Sequence, residues 1–153
     1  MAIEQFSRSL PMMLQAALDA VMPRFRAIFH EFGLTEPQWR VLRVLWEGEV
    51  TSARRLADLT LIPPPSLVGV IDRLVQAGLV VRRRAGDDRR AVRLSVTAAG
   101  RAIEAKVMPR TASAYADLKM SVDAETWEQL IAGLRVVAAT HPVNDSPAAD
   151  GPN

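Results

Sequence analysis

Residues 52–96 read SARRLADLTLIPPPSLVGVIDRLVQAGLVVRRRAGDDRRAVRLSV, and their period changes once. Ser52 is a good N-cap for a short helix through Leu59, with Leu56 and Leu59 expected to face inward. Thr60-Leu61-Ile62 interrupts it. Pro63-Pro64-Pro65 opens a second helix, since proline costs little in a first turn but kinks or breaks a helix deeper in. Leu67, Val70, Ile71 and Leu74 mark its buried stripe, and Gly78 is placed to stop it. From Leu79 the period falls to two. Residues 79–84 read as a strand, 85–90 as a turn rich in Gly and Asp, and 91–96 as a second strand with Val92, Leu94 and Val96 alternating. Two short helices joined tightly and followed by a β-hairpin with Arg at its tip make a winged helix-turn-helix. That fold places its second helix in a major groove and its hairpin at an adjacent minor groove, whose negative potential attracts Arg.

Working outward, residues 9–32 predict a long helix with Ser9 as N-cap, an apolar stripe from Leu10 to Phe32, a local bend at Pro23 and a stop at Gly33. Thr35-Glu36-Pro37-Gln38 is a capping box, and Trp39, Val41, Leu42, Leu45 and Trp46 form the buried stripe of the helix it starts. After the hairpin, Thr97 caps a fifth helix over about 98–119, which Pro109 should kink or divide. A sixth follows Ser121 or Asp123, with Trp127, Leu130, Ile131, Leu134, Val137 and Ala138 on one face. The expected architecture is mainly α with a small β-hairpin wing. Residues 1–140 form one domain, with dimerisation helices 9–32 and 98–139 and a DNA-binding lobe at 35–96. Residues 141–153, rich in proline and small polar residues, should be a disordered tail.

Composition narrows the function class. Hydrophobic residues make up 49% of the 153, enough for a core. The absence of cysteine removes disulfides, thiolate metal sites and thiol redox sensing. No uncharged run is long enough to span a membrane and no signal peptide is evident, so a cytoplasmic, soluble protein is expected. The net charge of +2 conceals an asymmetry. Residues 50–101 hold ten Arg against four acidic residues, while both flanking segments are net negative. Forked guanidiniums suit phosphate oxygens and base edges, though an Arg-rich solvated surface has the same composition. Only two histidines, His30 and His141, exist to ligate a metal, so no metal site or cofactor is expected. No nucleophile-base constellation or Gly-rich phosphate loop is present, so an enzyme is not expected.

Three stretches resemble the MarR family of bacterial regulators over about residues 10–138. They are LTEPQWRVLRVL (34–45), SLVGVIDRLVQAGLVVRRR (66–84) and DDRRAVRLSVTAAGR (87–101). The last is the most specific: Asp88, Arg90, Thr97 and Gly100 match the family's Asp-x-Arg wing pair and the Thr and Gly that start the next helix. The first two further resemble the subgroup regulating homoprotocatechuate degradation. The resemblance implies that Arg90 is a minor-groove arginine pre-oriented by Asp88, with Arg89 beside it. The second helix departs from the family, offering Pro64, Pro65, Ser66, Val68 and Gly69 where many relatives have Thr and Arg. Few direct base hydrogen bonds are therefore expected, although apolar groups can contact a thymine methyl. Ser52 and Arg54 are candidates for the DNA backbone. Arg73 either reaches a phosphate or pairs with Asp72 or a neighbouring helix. Arg82 and Arg84 share one strand face as phosphate candidates, and Arg83 takes the other.

The resemblance also implies a small-ligand crevice for phenolic or aromatic carboxylates. Arg40 is the candidate carboxylate anchor, Trp39 the stacking surface and His30 a third member. A core Trp beside a surface Arg is the competing reading. The apolar faces outside the winged lobe predict a homodimer on a pseudo-palindromic operator, with half-sites about 34 Å apart. A repressor released by an aromatic effector is the expected function. A winged-helix protein-interaction module and a constitutive DNA binder without effector remain as alternatives.

Overall fold

A computed structural model describes residues 6–48, 52–84 and 92–140. After a short 3-10 turn at Phe6–Arg8, the elements are α1 (Leu10–Glu31), α2 (Glu36–Glu47), α3 (Ala53–Thr60), α4 (Pro64–Gln76), β1 (Val80–Arg84), β2 (Val92–Val96), α5 (Ala98–Met120) and α6 (Ala124–Thr140). The winged helix-turn-helix architecture is the one the sequence predicts. The tail 141–153 lies outside the described residues.

The element ends follow local chemistry. Thr35 closes a reciprocal capping box: its N–H donates to Gln38 Oε1 at 2.9 Å while its hydroxyl accepts from the Gln38 N–H. Ser52 accepts from Arg55 N–H at 3.1 Å. Both α1 and α4 end in a Schellman turn. Gly33 and Gly78 take the left-handed conformation, at φ 68° and 70°. The next N–H in each case returns five residues back, Leu34 to Phe29 and Leu79 to Leu74, both at 3.0 Å.

Three expectations change and a fourth narrows. Ser9 does not cap α1 through its side chain; its hydroxyl donates instead to the Phe6 carbonyl at 2.8 Å. Leu59 is exposed, and Leu56, Ala57 and Thr60 form the buried side of α3. Trp39 is only half-buried. Pro109 does not divide α5, which runs unbroken past it. Of the two candidate caps for α6, Asp123 takes the role, its carboxylate accepting from Thr126 N–H at 2.9 Å.

One hydrophobic core joins the helices of the lobe to α1 and α5. Phe29, Leu42, Leu45, Leu56, Leu67, Leu74 and Val107 are fully buried in it. β1 and β2 pair antiparallel, with Val80 opposite Val96 and Arg82 opposite Leu94. Val80 and Leu94 are buried, so this face of the ladder lies on the core. The outer surfaces of α1, α5 and α6 are different. They expose Leu10, Met13, Leu18, Tyr115, Met120, Leu130 and Val136, each at least half accessible. No helix among the described residues is long and apolar enough to cross a membrane.

Candidate nucleic-acid interface

α4 buries Leu67, Val70, Ile71 and Leu74 and turns Pro65, Ser66, Val68 and Asp72 outward. Pro65, Val68 and Asp72 lie at helical spacing, so they form one outward stripe, with the half-buried Gly69 beside Val68. The stripe belongs to the helix that the sequence places in a groove. Leu61, which caps α3 in the left-handed conformation at φ 55°, is also exposed at this end of the lobe. A non-glycine residue there stores of order 1 kcal/mol, supported by the burial of Thr60 and Ile62 on either side.

The wing is anchored at its base by Thr97. Its N–H donates to the Leu79 carbonyl at 3.1 Å and its hydroxyl to the Gly78 carbonyl at 2.6 Å. The same oxygen accepts from Gly100 N–H at 3.2 Å and so caps α5. Gly100 sits against the wing: a Cβ built there would lie 2.4 Å from the Leu79 carbonyl oxygen. Nearby, Trp46 donates its indole N–H to the Gly100 carbonyl at 3.3 Å, and Arg101 donates to the Trp46 carbonyl at 2.9 Å. The Thr and Gly singled out by family resemblance thus have a physical reason: together they join α4, the wing and α5 at one point.

The arginines divide by environment. Those of α1, α2 and α5 are largely neutralised. Arg24 pairs with Asp117, and Arg110 with Glu31 at 2.9 Å, both across the α1/α5 seam. Arg26 and Arg40 share Glu36 at 2.8 and 2.6 Å. By contrast, Arg54, Arg55, Arg73 and Arg83 are exposed and meet no acidic side chain among the described residues. Asp72 pairs with Arg82 at 2.6 Å and not with its neighbour Arg73.

The ladder's register explains the Arg82 contact. Arg82 stands on the face that carries Val80 and Leu94, so its guanidinium turns to α4. Arg83 lies opposite Arg93 on the other face, and both are exposed. Arg83 and Arg93 were missed as interface candidates from the sequence. The inward alternation of Val80 was the available signal, because it assigns the outward positions to Arg83 and Arg93. Ser52 engages its side chain as a cap. The side chain of Arg84, with the wing-tip residues Asp88, Arg89 and Arg90, lies outside what is described.

The three effector candidates do not form one constellation. Trp39 stacks on Phe29 at 4.6 Å between ring centroids and meets Trp46 edge-on at 5.4 Å. Arg40 points to Glu36 and lies 3.5 Å from the Thr60 carbonyl. His30 is exposed in the last turn of α1. Burial alone would raise the Glu36 carboxyl, but hydrogen bonds and charge from Arg26 and Arg40 hold it below the ordinary value. A cleft of about 300 Å³ opens between α1 and α5, floored by Ala27, Ile28 and Ala114, and the arginines at its edge already have carboxylate partners.

A profile described as the MarR family matches residues 32–91. The Homoprotocatechuate degradative operon repressor of Escherichia coli is 34% identical over 122 residues, which span 80% of this chain and 82% of that protein. Among solved structures, NadR in complex with 4-hydroxyphenylacetate superposes with a TM-score of 0.74 at 31% identity, covering 90% of this chain and 98% of NadR. The repressor CouR, bound to a 23-mer DNA duplex, superposes with a TM-score of 0.78 at 26% identity, covering 90% and 99%.

Proposed function

Because the chain belongs to the MarR family of transcriptional regulators, we propose that it is a homodimeric repressor that grips a pseudo-palindromic operator and lets go on binding a small aromatic acid. The observation that carries this reading is the fastening of an Arg-bearing wing to the exposed side of α4, through Thr97 to Gly78 and Arg82 to Asp72. Helix and wing then move as one surface. Arg54, Arg73, Arg83 and the wing-tip Arg89 and Arg90 supply its charge. The exposed apolar sides of α1, α5 and α6 are the surface a second copy covers, which presents the grip twice with two-fold symmetry.

The effector is a phenolic or aromatic carboxylate, in keeping with the 4-hydroxyphenylacetate held by NadR. The site proposed for it is the seam where Trp39 of α2 meets Phe29 of α1, with Arg40, the next residue of α2, as the carboxylate anchor. An incoming carboxylate competes with Glu36 for Arg40. That guanidinium lies beside the last residue of α3, just ahead of α4. A ligand controls DNA affinity only by binding the DNA-fit and DNA-unfit states differently, typically by 1–3 kcal/mol, or about 5- to 150-fold.

The experiment is a titration of the full-length protein against duplexes recovered by selection from a random pool, at several salt concentrations, with and without 4-hydroxyphenylacetate. Tight, salt-sensitive binding that the acid weakens supports the reading. Failure to retain any duplex refutes it. Retention that no aromatic acid alters leaves a DNA binder without effector.

A further inference from the structure

The first two turns of α4 offer almost nothing that can make a hydrogen bond. Pro64 and Pro65 have no N–H, and the N–H groups of Ser66 and Leu67 both turn back to the Pro63 carbonyl at 3.0 Å. The helix therefore lacks the forward-pointing donors with which an N-terminus usually meets a phosphate or a base acceptor. From Pro64 to Ile71 the one polar side chain is that of Ser66. The next, Asp72, has its carboxylate held by Arg82.

What the helix does present is apolar. Pro65 is exposed and Val68 is 54% exposed, one turn apart on the same side. Beside Val68 a Cβ on Gly69 would meet nothing within 4 Å, so the surface there is open. The same lobe carries Arg54, Arg55, Arg73 and Arg83, none of which meets an acidic side chain among the described residues. An apolar strip accompanied by uncompensated guanidiniums is poorly suited to a neutral protein partner. It complements a major groove, where phosphates line the walls and the thymine 5-methyl is the apolar feature of the floor.

Resting on the reading that this lobe grips duplex DNA, we propose that Pro65 and Val68 select the operator by contact with pyrimidine 5-methyl groups. The determinant beneath α4 is then a methyl group and not a hydrogen-bonding edge. Specificity elsewhere comes from the wing and from DNA shape.

Replacing thymine by deoxyuridine tests this directly, because it removes the methyl and leaves base pairing intact. Duplexes recovered by selection are rebuilt with deoxyuridine at one thymine at a time, and binding to the full-length protein is measured at fixed salt. Affinity should fall about fourfold for each methyl that is buried. Val68→Ala, an exposed change that favours the helix, should lose a similar factor on the thymine duplex. It should also erase the thymine preference at one position of each half-site and leave the salt slope unchanged. Deoxyuridine duplexes that bind as tightly as thymine ones at every position would overturn the inference while DNA binding stands. So would a Val68→Ala protein that keeps every preference. Recovery of no duplex would overturn this inference and the DNA-binding reading together, and would mark the strip as a protein-docking surface.

Discussion

The guanidinium of Arg82 stands 2.6 Å from the carboxylate of Asp72, tying the first strand of the wing to the exposed side of α4. Both side chains remain about half exposed, so the pair contributes no more than about 1 kcal/mol to folding. It links helix to wing and neutralises the one acidic group on α4. Arg82→Ala should shift urea stability by less than about 1 kcal/mol yet weaken operator binding, with the salt slope unchanged. Loss of a phosphate contact would instead lower the slope by about one. Fluorescence anisotropy across a salt series separates the two.

Gly100→Ala should destabilise the protein by about 1–3 kcal/mol or more in urea unfolding. The added methyl would meet the Leu79 carbonyl oxygen and Val96 Cγ1, each at 2.4 Å, and the carbonyl belongs to backbone that cannot step aside. Helix propensity alone favours Ala over Gly by about 1 kcal/mol, so the sign of the change is diagnostic.

Thr97→Ala removes a cap from α5 and leaves the Gly78 carbonyl without its 2.6 Å donor. The expected loss is about 1–2 kcal/mol. Thr97→Ser retains the hydroxyl and should recover most of it, as thermal melts of the two variants would show.

Glu36 should make the fold sensitive to acid. Its carboxyl is held below the ordinary value in the folded chain, so the unfolded chain takes up the proton first as pH falls. The stabilisation is fully present above the ordinary carboxylate range and is lost as pH drops through that range to the lower folded value. Asp123, lowered by hydrogen bonds from the Thr126 hydroxyl and N–H, acts with the same sign. Glu36→Gln should flatten the acid limb of a plot of urea midpoint against pH between about pH 7 and pH 3.

Leu130→Glu places a charge on the exposed apolar face of α6 without touching the core of a single chain. The variant should stay folded by circular dichroism, run as a monomer in light scattering and lose most operator affinity. A folded variant with unchanged assembly and affinity would remove α6 from the proposed dimer surface.

Much of this architecture is written in short-range signals. Thr35 and Gln38, Ser52, and the glycines at 33 and 78 each act on groups within a few residues, and their positions mark helix ends in sequence and in space. The buried stripe of α4 was legible for the same reason, since Leu67, Val70, Ile71 and Leu74 repeat at the helical period. Leu59 misled because α3 has only eight residues. So short a helix fits more than one inward face, and packing chose Ala57 and Thr60.

Helix and strand positions, and the segment that holds the net positive excess, were thus legible without a fold, because capping, period and charge are local properties. Tertiary structure alone decided how those cations are used. Whether Arg82 faces Asp72 or solvent depends on the register that buries Val80 against the core. The need for glycine at position 100 depends on Leu79 and Val96 arriving beside it. Trp46 reaches its hydrogen-bond partner 54 residues further along the chain. Such contacts form only when distant segments pack, and no local pattern of residues specifies them.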